Sequence, residues 1–254
     1  TFSILQVFNN GEAYLVEYDN PRCIFIRDGE VIKIPRKTRV VQDKEINEFR
    51  FTVKKGDALI LLSDGTIHAG VGKSMTFGWP WKDIAEFVVR QREHAISSIR
   101  LAAAVCEECD KLYEGKPGDD TTVAVMQIID RRPVHLMTGP PVDRDDDERI
   151  ISEVMKDETA SRIVSGGTSA TILSRELGRP LKVSMDYTDP EIPPISYMDG
   201  IELVTEGVLT LSRVVDILNR FVEKKDLSYD FFKELDKNNG ASMLAKILIE
   251  DRKS

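Results

Sequence analysis

Three aspartates in this chain are best suited to chemistry: Asp64 in Ser63-Asp64-Gly65, and Asp119 and Asp120 in Gly118-Asp119-Asp120-Thr121-Thr122. Asp64 follows the apolar run Ala58-Leu59-Ile60-Leu61-Leu62, while Asp119 and Asp120 precede Thr122-Val123-Ala124-Val125-Met126. Short apolar runs bounded by turn residues read as buried strands. Two such strands can bring both acidic turns to one edge of a sheet. Paired carboxylate oxygens there suit a hard divalent cation, and such a cation can assist hydrolysis of a phosphate ester. Gly65 permits the tight chain exit that such a site needs.

The elements that must position these acids occupy the first half of the chain. Strand-like runs fall at 2–7, 13–18, 23–27, 31–34, 48–53, 58–62 and 122–129, with turn signals at Asn9-Asn10-Gly11, Asp19-Asn20-Pro21 and Asp28-Gly29. Helical patterns cover about 82–92 and 95–114; Ile96, Ile99, Ala103 and Cys106 set the phase of the second. Strands followed by helices predict an α+β domain over residues 1–131.

From residue 132 to 254 the pattern changes. Strand-like runs at 134–138, 162–165, 181–185 and 201–205 alternate with helical patterns at about 143–157, 168–177 and 210–224, which predicts parallel βα units. Two further helices, about 226–237 with Asp226 as N-cap and 240–251, make a helical tail. Ser165-Gly166-Gly167-Thr168-Ser169 lies between a strand and a helix, where free backbone N–H groups suit an anion; the plainer alternative is a tight connection with Thr168 as N-cap. Gly166, Gly167 and Thr168 with Glu206 are therefore candidates for a small anionic effector or phospho-group site at the sheet's C-terminal edge. The acidic run Asp145-Asp146-Asp147-Glu148 fits a helix N-terminus better than a metal.

The segment Glu48 to Asp57, with Ser63-Asp64-Gly65, Phe77-Gly78 and Gly118-Asp119-Asp120-Thr121-Thr122-Val123, resembles the PPM (protein phosphatase 2C) family, and most closely its bacterial branch typified by the stage II sporulation protein E phosphatase. The resemblance covers roughly residues 1–130 and corresponds to the C-terminal two-thirds of that domain. It implies an α/β/β/α layered sandwich, N-terminally truncated, with Asp64 and Asp119 as metal ligands and catalytic residues and with Asp120 and Gly65 around them. It also implies two Mn²⁺ or Mg²⁺ ions, attack by a hydroxide on phosphoserine or phosphothreonine, and a phosphorylated signalling protein as partner. The family's earlier Asp-Gly pair, which bridges the two metals, has no counterpart here. One weakly held ion, an inactive or nearly inactive chain and a missing upstream segment are thus expected. A non-catalytic phosphatase-like scaffold with a ligand-sensing second domain is the alternative.

Composition narrows the classes. The chain of 254 residues has net charge −8, no basic cluster and 41% hydrophobic residues, which argues for a real core and against nucleic acid or an anionic membrane as partner. Three cysteines (Cys23, Cys106, Cys109) are too few for a disulfide framework, and a cytoplasmic location is expected. Gly70-Val71-Gly72-Lys73-Ser74 ends like a phosphate-binding loop, but Ile67 stands where its first glycine belongs and Pro80 interrupts the helix that should follow. Cys106-Glu107-Glu108-Cys109 has zinc-like spacing, yet it lies mid-helix and core packing of Cys106 is expected. His68 is close enough to Asp64 in sequence to line a site, and Trp79-Pro80-Trp81 reads as a rigid core anchor.

Overall fold

The structure is a computed structural model and describes residues 1–92, 97–130, 133–185, 189–223 and 228–250. It divides into two units, Thr1–Asp130 and Arg131–Ser254. The first comprises β1 (Phe2–Val7), β2 (Glu12–Tyr18), β3 (Ile24–Arg27), β4 (Glu30–Val31), β5 (Arg36–Val41), β6 (Lys44–Thr52), β7 (Ala58–Leu62), α1 (Asp64–Ile67), α2 (Trp81–Arg92), α3 (Ser98–Leu112) and β8 (Val123–Gln127).

These strands form two antiparallel sheets, ordered β1-β2-β6-β5 and β4-β3-β7-β8. Leu15, Cys23, Phe25, Ile34, Phe49 and Leu59 fill the space between the sheets. Ile24, Ile26, Ala58, Ile60 and Leu62 face the other way and pack on α2 and α3 through Ile84, Val88, Leu101, Val105 and Cys109. β3 and β7 are therefore buried on both faces, which is why Ala58 to Leu62 is apolar without alternation. The unit is α+β, with three of the four expected layers among the described residues. Phe2 and Ile4 of β1 stay exposed, and β1 is an edge strand.

The second unit comprises β9 (Val134–Thr138), a 3-10 turn (Arg144–Asp146), α4 (Asp147–Met155), β10 (Ser161–Ser165), α5 (Gly167–Leu177), β11 (Lys182–Val183), β12 (Ser196–Met198), β13 (Ile201–Thr205), α6 (Val208–Glu223), α7 (Tyr229–Leu235) and α8 (Gly240–Glu250). The sheet order is β11-β12-β13-β10-β9; β9, β10 and β13 run parallel, while β11 and β12 are antiparallel additions. One face is covered by α4 and α5 through Ile151, Ala170 and Leu173. The acidic run begins α4 as expected, and Asp147 is buried there against Arg175, with Nη2 to Oδ2 at 2.5 Å.

Several local expectations are corrected. Between the expected runs at 31–34 and 48–53, most of Pro35 to Asn47 forms the β5–β6 hairpin, turned by Gln42 and Asp43 at φ 49° and 63°. β5 is exposed throughout, so no hydrophobic alternation marks it. Asp19-Asn20-Pro21 joins strands of different sheets and is not a hairpin turn. Cys106, expected to pack in the core, is exposed, and its neighbour Cys109 is buried instead. The buried stripe of α3 is Leu101-Val105-Cys109, on a different face from the predicted one, whose Ile99 and Ala103 are half-buried. α5 starts at Gly167 with Gly166 in the N-cap position, so Thr168 is a helical residue and not the cap. Ile96 and Asp226 lie outside the described residues; Ser228 caps α7 by accepting from the Phe231 N–H at 3.3 Å. Among the described residues no helix is long and apolar enough to cross a membrane.

Candidate functional site

β7 and β8 are antiparallel neighbours with Leu62 paired to Val123, so the turn leaving β7 and the loop entering β8 meet at one sheet edge. Ser63 joins them. Its N–H donates to Thr122 O at 3.0 Å, its Oγ donates to Asp120 O at 3.1 Å and the same Oγ accepts from the Thr122 N–H at 2.8 Å. The next residues do not simply turn; Asp64 begins the single-turn helix α1. Gly65 is required by proximity. A Cβ on it would stand 2.4 Å from the Asp120 carbonyl oxygen, closer than any real contact.

Asp64 is half-buried and accepts from the Gly65 N–H at Oδ1, 3.1 Å. Asp119 is exposed, accepts from the Asp120 N–H at Oδ1 (2.8 Å) and has Oδ2 3.8 Å from His68 Nδ1. The two turns that carry the sequence-selected Asp64, Gly65, Asp119 and Asp120 thus meet through their backbones, with His68 near Asp119. Thr66 Oγ1 and Thr121 Oγ1 are buried beside them and have no hydrogen-bond partner. Nothing in the sequence marked Tyr113. Its buried phenol donates to Gly65 O at 2.8 Å, and its ring stands 3.3 Å from where a Cβ on Gly118 would be. Burial raises its pKa, with the charges of Asp119, Cys109 and Asp64 adding in that order.

The phosphate-loop-like segment has a structural use. Lys73 Nζ donates to Tyr113 O and, at 2.6 Å, to Lys116 O; Ser74 Oγ donates to Leu112 O at 2.8 Å. Lys73 and Ser74 therefore serve carbonyls at the C-terminal end of α3, the negative pole of its dipole. The tryptophans anchor the chain that follows: Trp79 is buried, edge-on to Phe87 with centroids 5.4 Å apart, and Trp81 Nε1 donates to Arg22 O at 2.6 Å.

The donor chemistry at the β7–β8 edge fits a hard cation in kind, because carboxylates and hydroxyls are oxygen ligands. It fits one ion better than two. No group of three or more His, Cys, Asp or Glu able to hold a metal occurs among the described residues, whereas Mg²⁺ takes about six ligands, several of them water.

In the second unit the structure brings Gly166, Gly167 and Glu206 together. Glu206 Oε1 lies 3.3 Å from where a Cβ on Gly167 would stand. The start of α5 thus already faces a carboxylate of its own chain, which weighs against a second anion. Thr168 is exposed on the first turn of α5.

A family model described as stage II sporulation protein E matches residues 4–129. Solved structures of the phosphatase domain of the cell fate determinant SpoIIE from Bacillus subtilis are similar to this chain. One is 16% identical with TM-score 0.40, covering 52% of this chain and 60% of that one. A Mn-presoaked form is also 16% identical at TM-score 0.40, covering 52% and 58%. A crystal form without domain swapping is 19% identical at TM-score 0.32, covering 52% and 56%. The chain therefore spans less than two thirds of the length of these structures. A search of curated proteins gives no match.

Proposed function

Residues 4–129 belong to the stage II sporulation protein E family, and from that premise we propose that the first unit carries part of a metal-dependent phosphatase centre acting on phosphoserine or phosphothreonine of a bacterial, cytoplasmic signalling protein. The observation that carries this reading is the Ser63 stitch, which holds the Asp64 and Asp119 turns at one sheet edge. Asp64 and Asp119 would hold Mn²⁺ or Mg²⁺, ions that bind through one or two carboxylates and keep water. When bound, such an ion supplies an acidified water for attack on phosphorus and offsets charge on the phosphoryl oxygens. The chain's own residues set the geometry. Ser63 fixes the spacing of the turns and Tyr113 holds the Gly65 carbonyl, while His68 stands near Asp119 without a hydrogen bond to it. Thr66 and Thr121 contribute buried hydroxyls with unused hydrogen-bonding capacity.

With two carboxylates and no third metal-ligating side chain grouped with them among the described residues, the 254-residue chain is expected to bind one ion weakly and to turn over little or no substrate. The same observation favours a second reading, a phosphatase-like binding module.

Mn²⁺ added to the isotope-labelled chain tests the site. Paramagnetic broadening is expected at Asp64 and Asp119 and is expected to vanish in Asp64→Asn. Broadening at neither turn, or broadening that survives in both Asp64→Asn and Asp119→Asn, would overturn the assignment. Manganese-dependent phosphopeptide hydrolysis that disappears in Asp64→Asn would overturn the claim that the site is incomplete. A phosphopeptide bound without metal and left intact would favour the binding module.

A further inference from the structure

Three parallel strands of the second unit end in hydroxyl residues at one edge. Thr138, Ser165 and Thr205 are in register on β9, β10 and β13. Turns containing Gly139, Gly166-Gly167 and Glu206-Gly207 follow them. The last two turns touch, because a Cβ on Gly207 would lie 3.5 Å from Gly166 Cα. Ser165 Oγ and Thr205 Oγ1 both donate to the Glu206 backbone carbonyl at 3.0 Å. The Glu206 backbone is thereby fixed while its carboxylate stays out of these bonds. Among the described residues no cation pairs with that carboxylate.

Beside Glu206 opens a cleft of about 440 Å³ walled by Val183, Pro193, Pro194, Val208 and Leu209. Glu206 is the one charged residue among the described residues that line it. Val208 and Leu209 are 80% and 65% exposed, unusual for consecutive aliphatic residues opening a helix. Behind the turns lie two fully buried hydroxyls with no partner, Ser169 Oγ and Thr210 Oγ1, in the first turns of α5 and α6. Ser169 Oγ is 3.7 Å from where a Cβ on Gly166 would stand, on the side the glycine leaves open.

A concave, mostly apolar cleft of a few hundred Å³ with few polar groups is the usual form of a small-ligand site, and the C-terminal edge of parallel strands is its usual place. The sign of the charge selects the ligand. The helix start that would attract an anion already faces the Glu206 carboxylate, and an incoming anion would meet that like charge. A hydrogen-bond-donating cation would be held by a charge-assisted bond. We propose that this cleft binds a small organic cation, an ammonium or guanidinium group on an apolar body, with the head on Glu206 and the body against Val208, Leu209, Pro193 and Pro194. This replaces the anionic effector expected from the glycines, and it stands independently of the phosphatase reading.

Phenethylamine titrated into the ¹⁵N-labelled full chain tests it, with phenylpropionate and inorganic phosphate as anionic comparators. Saturable shifts are expected at Gly166, Gly207 and Val208 with the amine, weakened about tenfold or more in Glu206→Gln, since a charge-assisted bond is lost. Val208→Lys places a competing ammonium in the cleft without touching Glu206 and is expected to weaken binding as strongly. Absence of saturable shifts at millimolar amine overturns the proposal. So does an equal or stronger response to either anion, or an affinity unchanged in both variants.

Discussion

Tyr113→Phe removes one oxygen and tests whether a residue invisible to motif reading holds the phosphatase-type edge together. The phenol donates to Gly65 O at 2.8 Å in a buried setting. Losing a typical intramolecular hydrogen bond costs about 0.5–1.5 kcal/mol net, and a buried acceptor left without its donor costs about 1–3 kcal/mol. The ring, its contact with Gly118 and its packing in the α3 core stay in place, so no cavity penalty is added. The expected loss is therefore about 1–3 kcal/mol, read in urea as a lower midpoint at unchanged slope. Hydrogen exchange should quicken in residues 63–68 and 118–122 together, because Tyr113 touches both turns. Mn²⁺ affinity should fall by about 10- to 100-fold, the usual cost of losing a group that orients metal ligands. There is also a pH signature. Burial raises the folded pKa of Tyr113 above its ordinary value of 10.0; its contribution is complete below about pH 10 and is lost as pH rises through the folded value. The variant should lack that share of alkaline destabilisation. Unchanged exchange in both turns with stability within about 0.5 kcal/mol of the parent, the usual range for an inconsequential surface change, would refute the role. Lost metal affinity with unchanged exchange would refute the mechanism given for it.

Other expectations follow from single contacts. Gly65→Ala places a Cβ 2.4 Å from the Asp120 carbonyl, so the two turns must separate; overpacking costs about 1–3 kcal/mol, and exchange in residues 118–122 should rise in step with lost Mn²⁺ broadening. Asp57→Asn breaks a fully buried carboxylate's paired bonds to Arg27, at 2.9 and 2.7 Å, and should cost about 3–5 kcal/mol in urea unfolding. Burial acts to raise the Asp57 pKa, but the Arg27 hydrogen bonds and the Lys54 N–H outweigh it and hold it below 3.8; this stabilisation is present above about pH 4 and is lost as pH falls through the folded value, so acid unfolding should be less steep in the variant. A thiol reagent under native conditions should label Cys106 and spare Cys23 and Cys109, whose thiols burial pushes up to about 12; mass spectrometry showing rapid labelling of either buried thiol would contradict the packing.

What could be read in the sequence depended on whether function and burial left the same mark. Ala58 to Leu62 is apolar because both faces of β7 are covered, and Asp64 and Asp119 stand out because one closes and the other precedes an apolar run. The same logic fails for β5, which is solvent-exposed along its length and carries no pattern to find. It fails for α3, where small apolar residues occur on more than one face; packing chose Leu101, Val105 and Cys109. Tyr113 could not have been found at all, since an aromatic residue ending an amphipathic helix says nothing about the carbonyl that its hydroxyl will meet.

Lys73 and Glu206 show a more general limit of such reading. Each sits in a glycine-bearing segment whose composition suggests phosphate binding, and in each the chain has supplied its own electrostatic partner. Lys73 sits on carbonyls at the end of α3, where a cation opposes the negative end of the helix dipole. Glu206 lies against the start of α5, where an anion opposes the positive end. A glycine-rich turn beside a helix end provides a field, and the field attracts whichever opposite charge is nearest. Where a side chain of the same molecule takes that place, the ligand preference of the site is set by the side chain and not by the helix. In the first unit Lys73 is committed to two residues of its own chain, Tyr113 and Lys116. In the second the carboxylate has no cation beside it among the described residues and Glu206 borders an apolar cleft, so under the proposal the turn that looked like an anion site selects a cation.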